Sequence, residues 1–270
     1  PDLPFSPGGE VAGIIDKLGE GVTNYSVGEK VMAMTLYGGF AEYILVDANA
    51  LLRIPKEMNG VTAAGFTMTY GTSMYGLKQR GKLKPGEKLL VLGAGGGVGI
   101  TAVEIGKLMG AEVIAGASND AKLKAAKKAG ADHLINYSEG NIREKIRDIT
   151  KNAGIDVLYD PVGGELFEPC LRSLAWGGRA LVIGFASGTI PKLPTNLTLV
   201  KGCSVVGVFW GAFRTRETEV DNQNFEILFN WYKEKKLSPL VSQQFSLENA
   251  KDALLTLVHR KAIGKVILTP

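Results

Sequence analysis

The sequence predicts an α/β fold: a doubly wound parallel sheet preceded by a smaller β-rich piece. Three observations predict it. From Lys88 to Phe185 short apolar runs alternate with helical stretches, the pattern of parallel βαβ units. Ahead of Ile54, strand-like runs are separated by glycine turns and no helix of useful length fits. Between the two, Lys88 to Met109 reads strand, glycine turn and helix in immediate succession.

In chain order, Val11–Ile15, Lys30–Ala33 and Phe40–Val46 are expected strands, with turns at Gly19, Gly21, Gly28, Gly38 and Gly39. Val61 to Arg80 reads as helix in pieces, interrupted at Gly71 and Gly76, and Lys84-Pro85-Gly86-Glu87 as the turn launching the next strand. Leu89–Leu92 is that strand. The helix after it places Val98, Ala102, Ile105 and Met109 on one face. Strands Glu112–Ala115, His133–Tyr137, Ile155–Tyr159 and Arg179–Phe185 then alternate with helices Asp120–Ala129, Asn141–Thr150 and Leu166–Leu174. Val205–Trp210 is a further apolar run, Thr218–Lys236 and Leu247–Lys261 are two more helices, and Lys265–Leu268 is a last strand. The expected division is a Rossmann unit over 71–212, with 1–70 and 213–270 forming the second unit.

Composition narrows the function classes. At 270 residues with 45 % hydrophobic and 21 % charged content, the chain has the make-up of an ordinary globular protein. Its net charge of +4 comes from scattered basic residues, so no nucleic-acid surface is required. Cys170 and Cys203, far apart, build neither a disulfide framework nor a zinc spacing, which points to an intracellular, reducing compartment: the cytoplasm first, mitochondria as the alternative. No stretch approaches the roughly 18 apolar residues of a membrane span, and we expect no signal peptide ahead of Pro1. A start at Pro1 without an initiator methionine leads us to expect a fragment or a processed product.

A glycine turn that opens a helix is an anion site, because unpaired N–H groups and the positive end of the helix dipole point at one place. Gly95, Gly96, Gly97 and Val98 are therefore the expected seat of a dinucleotide pyrophosphate. A Rossmann site that prefers NAD ends its second strand in an acid that binds the ribose hydroxyl. Here Val113-Ile114-Ala115-Gly116 runs into Ala117-Ser118-Asn119, and Asp120 starts the next helix. Ser118 could donate to a 2′-phosphate and Lys122 could supply charge; a solvated lysine beside Lys124, Lys127 and Lys128 is the competing reading. His133 and His259 have no ligand-type neighbours, so no metal site is expected. No nucleophile elbow occurs. What remains is chemistry carried by the cofactor, for which hydride transfer fits.

With those residues in view, the chain resembles the zinc-independent quinone oxidoreductases of the medium-chain dehydrogenase/reductase superfamily over its whole length. Pro4-Phe5-Ser6-Pro7-Gly8-Gly9-Glu10-Val11-Ala12-Gly13 and Gly28-Glu29-Lys30-Val31 are similar to the signature of the family's GroES-like domain. Gly9 stands where zinc-dependent relatives carry a histidine ligand, and their four-cysteine loop has no counterpart. Leu83 to Gly99 is similar to the family's strand and nucleotide loop, Ala94 included, Asp160–Gly164 to its turn after the fourth strand, and Val182–Gly188 to its nicotinamide segment.

The resemblance implies NADPH as cofactor, with Lys122, Tyr137 and Arg260 as its anchor and Gly184 and Phe185 beside the nicotinamide. It implies a homodimer pairing through the Ser204–Trp210 run, and a GroES-like domain truncated at its N-terminus, since family members begin earlier. The asparagine and tyrosine that such members offer near the nicotinamide from that region have no assigned counterpart; Tyr70 is named as a cleft residue, with plain packing as its alternative. The catalytic residue itself is left open. The expected function is NADPH-dependent, zinc-free hydride transfer to a small-molecule quinone or conjugated carbonyl acceptor. An enal or enoyl-thioester reductase and a non-catalytic NADPH-binding protein are the rivals.

Overall fold

The computed structural model describes residues 1–270 as three sheets with helices around them. β1 (Glu10–Ile14), β2 (Lys30–Met34) and β3 (Leu51–Arg53) form an antiparallel sheet in that order, with Ala12 opposite Met32 and Met32 opposite Leu52. The expected strand Phe40–Val46 does not form. Residues 38–40 make single backbone bonds to Ser6, Pro7 and Gly8, and the chain then leaves that edge with Tyr43 and Leu45 77 % and 98 % exposed. A strand needs cross-strand partners more than β-prone residues, and β2 gives its free edge to Leu51–Arg53 instead.

The large sheet consists of β4 (Lys88–Val91), β5 (Glu112–Ala117), β6 (His133–Asn136), β7 (Ile155–Asp160), β8 (Leu174–Val182) and β9 (Ser204–Gly207). All six are parallel, in the order β6-β5-β4-β7-β8-β9. The strand order therefore reverses between β4 and β7, where such sheets bind ligands at the carboxyl ends of the strands. Leu89, Val91, Val113 and Val157 bury into one core with Phe66, Tyr70, Met74 and Phe225. The intervening Leu90, Ile114 and Leu158 bury into the other with Ile135 and Phe167. Because both faces are covered, these strands read as unbroken apolar runs in the sequence. β8 begins earlier than the expected Arg179: a bulge between Ile155 and Val157 lets Leu174 pair with Ile155, which shortens the preceding helix.

The helices are α1 (Gly60–Ala64), α2 (Thr67–Met74), α3 (Gly97–Leu108), α4 (Asp120–Lys128), α5 (Ile142–Thr150) and α6 (Phe167–Leu171). They are followed by α7 (Thr195–Lys201), α8 (Trp210–Arg216), α9 (Thr218–Lys233) and α10 (Ala250–Val258). α2 continues into a wider π-helical turn over Tyr75–Arg80, where Gly81 N donates to Gly76 O at 2.7 Å. β10 (Val241–Ser246) and β11 (Lys265–Thr269) pair in parallel. A buried ion pair locks α8 to α9. Asp221 accepts from Trp210 Nε1 at 2.7 Å and from Arg214 Nη1 at 2.9 Å, while Arg214 also reaches Ala50 O at 2.9 Å. No helix is long and apolar enough to cross a membrane.

Candidate cofactor-binding site

The carboxyl ends of β4, β5, β7 and β8 lie side by side at the switch-point crevice, and the loop after α10 is bonded to its rim at Gly95, Lys122 and Ser187. From β4 the chain turns through Gly93–Gly96 into α3, whose N-terminus no side chain caps. Its first N–H groups therefore have no side-chain acceptor and remain free to hold an anion. Gly96, Gly97 and Val98 are partly open to solvent, whereas Gly95 and Gly99 are buried. A Cβ at Gly99 would stand 2.2 Å from Gly93 O, so only glycine lets α3 close this tightly on β4. A Cβ at Gly95 would stand 2.5 Å from the Cβ of Lys122. Gly95 thus makes room for the lysine stem.

At the tip of β5 the side chain of Asn119 caps α4, accepting from Lys122 N at 3.0 Å, and Asp120 lies in the first helical turn. No carboxylate ends this strand. Lys122 Nζ donates to Arg260 O at 2.8 Å, and Arg260 Nη2 to Ser187 O at 3.1 Å. Neither cation makes an ion pair. Partial burial, and then the nearby Arg260 charge, lower the Lys122 pKa. Tyr137 is half-buried here. Burial raises its pKa, while the Ser118 side chain and the Arg260 charge pull it back. Ser118, Lys122, Tyr137 and Arg260, from three separate stretches of sequence, are thereby brought together. An uncapped helix end beside two unpaired cations is the donor set that a dinucleotide with an extra phosphate requires.

Across the crevice Asp160 ends β7. It is 2 % exposed, and its Oδ1 accepts from Val162 N at 2.8 Å and Gly163 N at 2.9 Å. Burial raises its pKa against the pull of those two bonds. The turn that it shapes holds the chain after β8, through Ile183 N and Gly184 N to Asp160 O and Ala186 N to Pro161 O. Gly184 and Phe185 therefore sit at the strand end, with Phe185 41 % exposed against Gly163.

Tyr70 does not line the crevice; of its two expected roles the structure selects packing. It is 1 % exposed, stacks on Phe66 at 4.1 Å between ring centroids, and donates to Glu104 Oε2 at 2.5 Å. Sequence reasoning missed the pairing of the Glu10 and Lys265 side chains, Glu10 also accepting from Met68 N. The Lys265 stem passes Gly97, where a Cβ would stand 3.1 Å from its Cδ. Gly264 N donates to Gly95 O at 2.8 Å, so the chain's last strand is stitched to the glycine turn. Contacts of such sequence separation leave no local pattern.

Comparison with known proteins agrees with this geometry. Residues 1–56 match the alcohol dehydrogenase GroES-like domain, and residues 97–224 the zinc-binding dehydrogenase family. The chain is similar to the quinone oxidoreductase-like protein 2 homolog of Nematostella vectensis, at 36 % identity over 99 % of this chain and 74 % of that protein. It is also similar to a 2-haloacrylate reductase of Burkholderia sp, at 32 % identity over 99 % of this chain and 81 % of that one. Among solved structures, the quinone oxidoreductase of Escherichia coli complexed with NADPH superposes with a TM-score of 0.92 at 28 % identity, covering 100 % of this chain and 84 % of that one. The chain belongs to the medium-chain dehydrogenase/reductase superfamily, together with the quinone oxidoreductase-like proteins.

Proposed function

We propose that this chain is an NADPH-dependent reductase that works without zinc and delivers hydride to a quinone or a similar conjugated acceptor. The observation that carries the reading is the pair Lys122 and Arg260, two cations held only by backbone carbonyls at a strand end without an acid. A dianionic 2′-phosphate gains charge-assisted bonds there that a neutral 2′-hydroxyl cannot match. Ser118 and Tyr137 complete this anchor, Gly96–Val98 present the helix end to the pyrophosphate, and Gly184 and Phe185 border the nicotinamide. When bound, NADPH supplies the hydride. The chain's own residues orient the reactants and exclude water. The NADPH complex of the Escherichia coli relative supports the cofactor.

The acceptor reading draws on a hollow of about 520 Å³ beside this end of β8, lined by Tyr75, Ile183, Phe185, Val208, Phe209 and Phe213. The rings of Tyr75 and Phe213 stack on each other 4.0 Å apart and give it an aromatic, apolar side. The zinc-free reading rests on side-chain inventory. His133 is held by Glu112 at 2.8 Å, His259 ends α10 on the surface, Cys170 and Cys203 are buried free thiols, and no three ligand-type side chains converge. We assign 1–70 and 213–270 to the GroES-like domain and 71–212 to the Rossmann domain. The outer strand β9, with Val205 and Val206 half-buried, is the edge through which we pair two copies as a homodimer. Free thiols suit a reducing compartment, and we place the protein in the cytoplasm.

The 2-haloacrylate reductase relative favours a second reading, reduction of an activated C=C bond, which requires a proton donor at the carbon beside the carbonyl. Steady-state NADPH oxidation with a 1,4-quinone and with a short enone separates the two. Turnover of the quinone supports the first reading, and turnover of the enone alone transfers the assignment to the second. NADPH binding without oxidation by either acceptor contradicts both.

A further inference from the structure

The Lys122–Arg260 contact is one half of a longer connection. Arg260 follows α10 with φ 55°, a left-handed conformation that turns its carbonyl and its side chain toward different neighbours. The carbonyl takes Lys122, and the guanidinium crosses to Ser187 O. Ser187 lies in the turn that runs from Phe185 to Thr189. Within that turn Gly188 N donates to Phe185 O at 2.8 Å, and Ser187 N reaches Val162 O at 2.9 Å. Arg260 therefore bridges Lys122, through its carbonyl, and the segment after β8, through its guanidinium.

A neutral carbonyl is a weak partner for a guanidinium, and a phosphate dianion is a strong one. We infer that the 2′-phosphate and the Ser187 carbonyl compete for Arg260, so that recognising the phosphate removes the Arg260 tether of the Phe185–Thr189 turn and leaves that turn on its backbone bonds to Pro161, Val162 and Gly164. This rests on the NADPH-anchor reading above. It makes Ser187 and its turn a specificity-determining element for the reaction. With NADH, Arg260 stays on Ser187 and the turn stays held. With NADPH, the guanidinium moves to the phosphate and the turn, kept in place by its backbone bonds alone, is loosened. A ligand shifts such an equilibrium only through its different affinity for the two states, and the 2′-phosphate is the only group that distinguishes the cofactors. Discrimination is then expressed in kcat as well as in KM.

The test uses two probes without a nicotinamide, adenosine 2′,5′-bisphosphate and adenosine 5′-monophosphate, each at saturation on the whole chain. Amide hydrogen exchange is followed at Ala186 to Thr189. The bisphosphate is expected to speed exchange of these amides severalfold and the monophosphate to leave it unchanged. In Arg260→Met the amides are expected to exchange fast with either probe or none. Bisphosphate that binds more tightly than monophosphate yet leaves these amides unchanged, or slows them, overturns the competition while the anchor stands. Equal affinity for the two probes overturns the anchor and the competition with it.

Discussion

Lys122 lies against Gly95 so closely that a methyl group on the glycine would stand 2.5 Å from the lysine Cβ. The glycine turn and the cation at the tip of β5 are therefore one packed unit, although the sequence presents them as separate motifs. Gly95→Ala must push the start of α4 away. Overpacking of this kind costs about 1–3 kcal/mol. Where the strain is relieved by moving Lys122, we expect NADPH to bind roughly tenfold or more weakly. A fluorescence titration checks this, and unchanged affinity contradicts the packing account.

A second prediction concerns pH. Burial raises the pKa of Glu104 and, more strongly, that of Tyr70, its hydrogen-bond partner. The folded state thus holds the Glu104 proton more tightly than the unfolded chain does. Stability from this group is full below the ordinary glutamate range and is lost as pH rises through the raised folded value. Urea unfolding of the wild type should show that decline above about pH 4.3, the unfolded value, and Glu104→Gln should flatten it. An equal slope in both proteins sinks the assignment. Tyr70→Phe leaves Glu104 Oε2 without its donor and should cost about 1–3 kcal/mol.

The buried contacts of Asp221 give a third. Burial raises its pKa against the pull of Trp210 and Arg214, so these partners offset only part of the desolvation cost. Asp221→Ala strands the Arg214 charge and the Trp210 N–H together. Removing one member of such a pair costs about 3–5 kcal/mol, visible as a large fall in the urea midpoint. A shift below about 1 kcal/mol would place the pair among weak surface bridges.

Periodicity made most of the large sheet readable. Its strands are buried on both faces, so Leu89–Leu92 and Ile155–Tyr159 stand out as apolar runs, and the glycine turn announces α3. What escaped depends on distant partners. Phe40–Val46 has the residues of a strand but no neighbour to pair with, and Leu51–Arg53 becomes a strand only because β2 offers an edge. The π-helical turn Tyr75–Arg80 and the helix Thr195–Lys201 have no strong local signature. In the site, the missing acid after Ala117 and the glycine turn were legible. The assembly of Lys122, Tyr137 and Arg260 came from family resemblance, and the Arg260–Ser187 and Glu10–Lys265 contacts from structure alone, because they join residues on unrelated segments.

The central claim is that the β5 tip reads a 2′-phosphate, and its most direct test compares NADPH with NADH on the wild type and on Lys122→Ala. A charge-assisted contact contributes about 1.5–3 kcal/mol, or roughly ten- to hundredfold in affinity. The expected result is that the wild type binds NADPH more tightly than NADH, and that Lys122→Ala loses that factor for NADPH while NADH binding barely changes. Equal affinity for both cofactors in the wild type, or equal losses in the variant, would contradict it.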